Sequence, residues 1–448
     1  MKEDYTDIIQ QVSQVVFEAI NEREENLSTE VKELDGQLAK LLRLVGREVM
    51  SMCFNEASQK VTNESKKKGL VVHRREKVKY SVIFGIVEVN SPYLWHKQEG
   101  WGIRPVVEKL GLKPGERSIA VKRALTDFGA EESFGQAAKR FQEHYGWTVE
   151  RGAIRREVEA IANDAESFVE KRLLALETKY KNLVPPKRRT GWNRVLVELD
   201  GCQIRTGILV SNETKELTPL RSLKKRKRKI DWREVRVGLA RPVENKDSRT
   251  FIAKMAQDPE LVPQLHSAAV DQGLSIYTLV FGVADGGNGL KEALEAKFTN
   301  FQFILDYAHF KQHLYQAVEA MELEPQWRSI WLNCSQDLIE GGRVKAIISR
   351  LKHWSGQGKE VVFNLVKYLE RFRQSVHYQK YRELGLPIGS GEIESSHRYI
   401  PQKRLKIPGA TWHPNTINPM LALRVIRSND WWDEFWQTYT CSKKLLMA

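Results

Sequence analysis

The chain has 448 residues, is 41% hydrophobic and 29% charged, and carries a formal net charge of +14. That is the balance of a globular protein with about two to four cores, and the positive excess favours a polyanionic partner, nucleic acid before an anionic membrane surface. Four scattered cysteines (Cys53, Cys202, Cys334, Cys441) form no C-x-x-C pair, which argues against a zinc ribbon or a disulfide scaffold. No stretch approaches the roughly 20 apolar residues of a membrane span, and the start, "MKEDYTDIIQ", has no apolar signal region. The expectation is a cytoplasmic chain with reduced thiols.

Residues 1–70 read as helix: Ile8, Ile9, Val12, Val15, Val16, Phe17 and Ile20 recur at helical spacing, and so do Leu34, Leu38, Leu41, Leu42 and Val45. Residues 71–112 form a small β segment. Within it "KVKYSVIFGIVEVNSPYLW", with Gly85 at its centre and Pro92 as a breaker, predicts two short strands. Residues 113–185 return to helix. There "SFGQAAKRFQEHYGWTVERGAIRREVEAIA" reads as helix, glycine turn, helix, with Arg151 and Arg155 on one face and Arg156 beside them. A helix-turn-helix DNA reader and a plain packing hairpin share this pattern. Pro185 and Pro186 then mark a boundary.

From 190 to 311 the pattern alternates. "RVLVELDGCQIRTGILVS" predicts two strands, "WREVRVGLARPV" a third, and about 250–273 a helix. "IYTLVFGVADGG" predicts a buried strand, "NGLKEALEAKF" a helix, and "FQFILDYAHF" a strand entering a helix. The sum is a mixed sheet covered by helices. Residues 312–385 read as all-helical, 386–430 as the return to the core, and 431–448 as a C-terminal tail. Trp412, Trp431, Trp432 and Trp436 read as core or dimer contacts.

Asp200 and Asp285 each follow an apolar strand, where ligands collect in such sheets; Asp-Gly after a strand is also an ordinary turn. Two or three carboxylates suffice for magnesium. In "GLPIGSGEIESSHRYI" Ser390 predicts an N-cap with a helix following. Glu392 and Glu394 fall about 200° apart on that helix, so only one can face a site. Glu394 shares its face with His397 and Arg398 and is the choice; Glu392, an acid opposing the macrodipole, is the fallback. Asp306 and His309 form a D-x-x-H unit in which Asp306 is also a natural N-cap. His309 and His313 lack the H-E-x-x-H context of a zinc pair. The run "RSLKKRKRK" holds seven basic residues, among them Lys224, Lys225, Arg226, Lys227, Arg228 and Lys229. It predicts an extended loop between two strands, making sequence-independent phosphate contacts. Lys403, Arg404 and Lys406 would continue that track.

The ordered set "VELDG", "WREVRVG", "VADGGNGL", "ILDYAHFKQHL", "GLPIGSGEIESSHRYI" and "KRLKIPGATW" spans about residues 190–430. It resembles DDE transposases of the bacterial ISKra insertion-sequence group, which are related to Mutator-like enzymes. The resemblance implies an α/β RNase H-like catalytic domain carrying an all-α insertion, after a mostly helical N-terminal region with a short β segment. It implies the triad Asp200, Asp285 and Glu394, with Asp306, His309 and Arg398 as accessory residues. Two magnesium or manganese ions would sit among the acids, one activating water or a DNA 3′-hydroxyl, the other stabilising the departing oxygen. The implied partners are double-stranded DNA (terminal inverted repeats and target) and further copies of the chain, as a homodimer or larger assembly. Where family members often show a cysteine pair after "SPYLW", this chain has "HKQEGWG", which argues against a zinc knuckle. The rival expectations are an inactive, domesticated DNA-binding descendant and an RNase H-like nuclease that cuts without joining.

Overall fold

A computed structural model describes residues 6–21, 31–181, 192–210, 227–287 and 289–445. Two compact units emerge. The smaller holds residues up to Ala124 together with Ala138–Val149, and the larger holds Leu125–Ala137 and Glu150–Ser442. No helix among the described residues is long and apolar enough to cross a membrane.

The smaller unit begins with helices α1 (Thr6–Asn21) and α2 (Val31–Lys67). Five short strands follow where the sequence predicted two: β1 (Leu70–Arg74), β2 (Lys77–Val82), β3 (Gly85–Asn90), β4 (Tyr93–His96) and β5 (Trp101–Ile103). The β2–β3 hairpin matches the reading around Gly85, and β1, β4 and β5 make a second sheet. The extra strands have three to five residues, too few for a period-2 pattern to stand out. Helix α3 (Pro105–Leu110) closes the segment; Val106 joins Val82, Val87, Val89 and Leu112 in a core that packs against Met50, Phe54 and Val61 of α2.

Helices α4 (Ile119–Glu131) and α5 (Phe134–Tyr145) each contribute residues to both units. Helix α6 (Arg151–Lys181) belongs to the larger one. Its sheet is built from β6 (Arg194–Val210), β7 (Lys227–Pro242), β8 (Thr250–Lys254), β9 (Leu279–Ala284) and β10 (Phe301–Leu305), in the order β10-β9-β6-β7-β8. β7 runs antiparallel to both neighbours, while β6, β9 and β10 are mutually parallel. Helices α7 (Asp258–Asp271) and α8 (Leu290–Lys297) provide the crossovers. The predicted mixed sheet with flanking helices is therefore present.

Two readings of this sheet need correction. Residues 194–210 form one continuous strand of 17 residues, not two. Asp200–Gly201 is no turn: Gly201 stays out of the positive-φ region, and a Cβ there would meet Arg236 Nη1 and Glu234 Oε1 at 2.8 Å. The glycine serves close packing inside a ladder. The third strand of the antiparallel set is β8, inside the stretch read as helix. "TFIAK" is β-prone but only five residues long, and the stronger helical pattern of α7 masks it.

The helices α9 (Tyr307–Ala320), α10 (Pro325–Glu340), α11 (Val344–Lys352), α12 (Lys359–Arg371) and α13 (Tyr378–Glu383) fill the segment predicted to be all-helical. Then come α14 (Gly391–His397), a π-helical turn at Arg398–Gln402, α15 (Lys403–Leu405), α16 (Ile417–Ser428) and α17 (Trp432–Leu445). Trp412, Trp431, Trp432 and Trp436 are all buried, as core residues should be.

Candidate active site

The parallel ladders set the acids. β6 pairs with β9 up to Glu198↔Val283, and β9 pairs with β10 up to Ala284↔Leu305. Carrying both registers onward brings Asp200, Asp285 and Asp306 to one level on three adjacent strands, which lie about 4.8 Å apart. Asp200 is thus not at a strand end, as predicted, but at the point where its neighbour β9 ends and β6 continues against β7 as far as Val210↔Lys227.

Each aspartate is held differently. Asp200 is half-buried; its Oδ1 accepts the Gly201 N–H at 2.7 Å, and its Oδ2 lies 3.5 Å from His397 Nε2. Asp285 is also half-buried. Its Oδ1 accepts the Gly287 N–H at 2.9 Å, and the Tyr368 hydroxyl donates to its carbonyl at 2.8 Å. Burial, and then the charges of Asp285 and Asp306, hold the Tyr368 phenol far above its ordinary pKa, so it stays a donor. Between them Gly286 adopts φ +80°, and a Cβ there would meet Phe372 at 2.8 Å and Leu305 at 2.9 Å. Only glycine fits that turn. Asp306 is buried and fully occupied. Its Oδ1 accepts the His309 N–H at 2.8 Å, capping α9, and its Oδ2 accepts the Ser390 N–H at 2.6 Å and Oγ–H at 2.8 Å.

Helix α14 docks on the sheet face that carries Glu198 and Asp200. Glu198 is buried and accepts the Ile393 N–H at 2.8 Å. Burial, reinforced by Glu392 and Asp306 and opposed by that N–H and Arg241, pushes its carboxyl up to about 8. Arg241, 1% exposed, grips Glu392 with two bonds of 2.6 and 2.7 Å and donates to the carbonyls of Pro242 and Val243. The two candidate glutamates of α14 have different surroundings. Glu392 is consumed in an ion pair. Glu394 is exposed, and its carboxylate accepts a long hydrogen bond, 3.4 Å, from Ser390 Oγ. Ser390 occupies the N-cap position, but its side chain turns to Asp306 and does not cap α14.

Helix α14 thus meets the row of aspartates at two places, through His397 near Asp200 and through Ser390, which bonds both Glu394 and Asp306. Burial lowers the pKa of His397, against the opposing pull of Asp200. Among the described residues no three His, Cys, Asp or Glu side chains stand close enough as they are to hold a metal ion. His309 is half-buried at the start of α9, and Arg398 is exposed.

The predicted basic track divides. Arg404 leaves it: the side chain is buried, donates to the Gly129 carbonyl at 2.7 Å, and lies over Phe134 and Trp412 at 4.5 and 4.7 Å. Burial pulls its pKa down to about 10. It is a packing residue, since a cation against two rings binds there by about 0.5–2 kcal/mol per ring. Lys403 pairs with Glu131. Lys406 is exposed, and its charge acts on His397 and Cys202. Arg151, Arg155 and Arg156 are exposed on the first turns of α6, with Arg155 3.7 Å from Glu159. That helix is 31 residues long and buries Ile154, Val158, Ile161 and Leu173, and it packs on α7 and α16. Lys227, Arg228 and Lys229 are part of strand β7, not of a loop. Lys224, Lys225 and Arg226 lie outside the described residues.

Sequence reasoning overlooked Glu198, Arg241 and Tyr368. Glu198 and Arg241 did leave a signal, a charge inside an otherwise apolar strand, which must be partnered once buried. Tyr368 left none, because a tyrosine on a helix of the insertion looks like any core aromatic. Compared with models of known protein families and with curated proteins, the chain finds no match in either.

Proposed function

We propose that the chain is a DDE-type transposase of the ISKra kind, binding the ends of an insertion sequence and cutting and joining DNA strands with divalent metal. The larger unit is read as RNase H-like. Three successive antiparallel strands, two further parallel strands reached through helices, and the order β10-β9-β6-β7-β8 support that reading. So does the all-helical stretch before α14. The observation that carries the proposal is the pairing of Asp200 and Asp285 at one level of adjacent parallel strands, with Glu394 on a helix tied to the same sheet face.

The donor set fits a hard cation. It consists of carboxylates that are exposed or half-buried, while the neighbouring acids Glu392 and Asp306 are spent on Arg241 and Ser390. Asp200, Asp285 and Glu394 would hold the ions, magnesium or manganese, whose chemistry is to lower the pKa of an attacking hydroxyl and to stabilise the departing oxygen. The chain's own groups position those acids. Gly201 and Gly287 N–H each fix one carboxylate oxygen and leave the other for a ligand. His397 packs beside Asp200, its Nε2 3.5 Å from Oδ2. Lys406, exposed and acting electrostatically on His397, would add positive charge for an incoming phosphate. The DNA is duplex, and the working form is an assembly of copies.

A strand-transfer assay tests this. With pre-cut terminal-repeat duplex, target plasmid and Mg2+ or Mn2+, joined products are expected, and none in EDTA. Nicking without joining would make the chain a nuclease. Binding without either reaction would make it a DNA-binding relative of the enzymes.

A further inference from the structure

We propose that the outer half of the β6–β7 pair is a two-stranded ribbon that enters the major groove of duplex DNA. This rests on the DNA-processing reading above and names a mode of contact that the active site does not supply. β9 leaves β6 after Glu198, and β8 pairs with β7 only between Arg236 and Ala240. Yet β6 and β7 stay paired from Gln203↔Glu234 out to Val210↔Lys227. Along that outer part the other strand contact is a single bridge, Thr206↔Trp412.

On β6 one face is buried in the ordinary way, at Ile204 and Thr206 (0% and 1% exposed), but β7 has no such buried face here. Every residue from Arg228 to Glu234 is exposed. Leu209, Ile230 and Trp232 are 59%, 42% and 60% exposed, and the register puts them on one face with Arg205 and Arg228. Residues 203–209 and 228–234 carry four cations (Arg205, Arg228, Lys229, Arg233) against two acids (Asp231, Glu234), 4 − 2 = +2. Both acids are already matched, Asp231 by Arg233 at 3.0 Å and Glu234 by Arg236 at 3.3 Å. Arg228 also lines a cavity of about 850 Å³ with Arg155, which places a second cation where a flanking phosphate strand would pass.

The dimensions agree. Two strands about 4.8 Å apart fit a groove about 12 Å wide, which admits a β-ribbon. Seven residues at about 3.4 Å each span roughly 24 Å, about seven base pairs at 3.4 Å per step. Arg205 and Arg228 can reach guanine edges or phosphates, and Leu209, Ile230 and Trp232 can meet thymine methyls. A second copy of the chain is a poorer occupant of the same face, because it would set Arg205 and Arg228 against their equivalents.

The test uses the full chain in EDTA, so that no chemistry contributes. Affinity is measured for a duplex and for the same duplex with glucosylated hydroxymethylcytosine, whose sugars fill the major groove. The wild type should bind the glucosylated duplex at least about tenfold more weakly. Arg228→Ala/Lys229→Ala should lose affinity for the plain duplex and flatten the log K against log salt slope by about 2, at 0.9 per phosphate contact. Trp232→Ala should lose most of the discrimination between the two duplexes. Equal binding of both duplexes by the wild type would overturn the proposal. So would unchanged affinity in the variants, or variants that turn monomeric in sedimentation while still binding DNA normally. Strand transfer by a wild type that ignores glucosylation would sink the ribbon alone and leave the transposase reading standing.

Discussion

Asp200→Asn is expected to lower metal-dependent strand cleavage by about a thousandfold or more, with duplex affinity retained. The estimate follows from several kcal/mol of charge stabilisation supplied through a metal held by that carboxylate, about 4 kcal/mol for three decades. Asn keeps the shape and can still accept the Gly201 N–H, so the fold should survive. Asp285→Asn and Glu394→Gln should fall equally far. Glu392→Gln, which leaves an oxygen for Arg241, should stay within about tenfold of wild type. Time courses of nicking on terminal-repeat duplex, with thermal melts alongside, read all four. A Glu392→Gln protein that is dead while Glu394→Gln cuts would transfer the role two residues back along α14, to its opposite side.

Arg241→Met should be the most destabilising single change near the site, by about 3 kcal/mol, the low end for removing one partner of a buried pair. Arg241 is 1% exposed and satisfies Glu392 together with two backbone carbonyls. Its loss leaves a partly buried carboxylate beside Glu198 with nothing to neutralise it. The double variant Arg241→Met/Glu392→Gln should recover a good part of the loss. Urea unfolding of the two singles and the double measures the coupling. A loss under about 0.5 kcal/mol in Arg241→Met, with no recovery in the double, would show that α14 is not held by this pair.

Much of the larger unit could be read from residue patterns. β9, β10, α8 and the helices from α9 to α13 follow from apolar runs of clear period, and Asp285 follows from its place after one of them. What the patterns could not show depends on partners distant in sequence. Asp-Gly has the same letters in a turn and in a ladder, and only the approach of Arg236 and Glu234 to Gly201 tells them apart. β8 is too short to outweigh the helix beside it. Arg404 looks like its basic neighbours until Phe134 and Trp412 close over it. The ion pair that occupies Glu392 but not Glu394 comes from Arg241, 151 residues away. The D-x-x-H aspartate was legible as a cap, but its second task, seating Ser390, was not.

The central claim is that Asp200, Asp285 and Glu394 form one divalent-cation site, and metal binding to the DNA-free chain tests it without any substrate. Mn2+ titration followed by electron paramagnetic resonance should show bound ion in the wild type and in Glu392→Gln. Binding should be lost or sharply weakened in Asp200→Asn, Asp285→Asn and Glu394→Gln. Mn2+ bound as tightly by those three variants as by the wild type would contradict it.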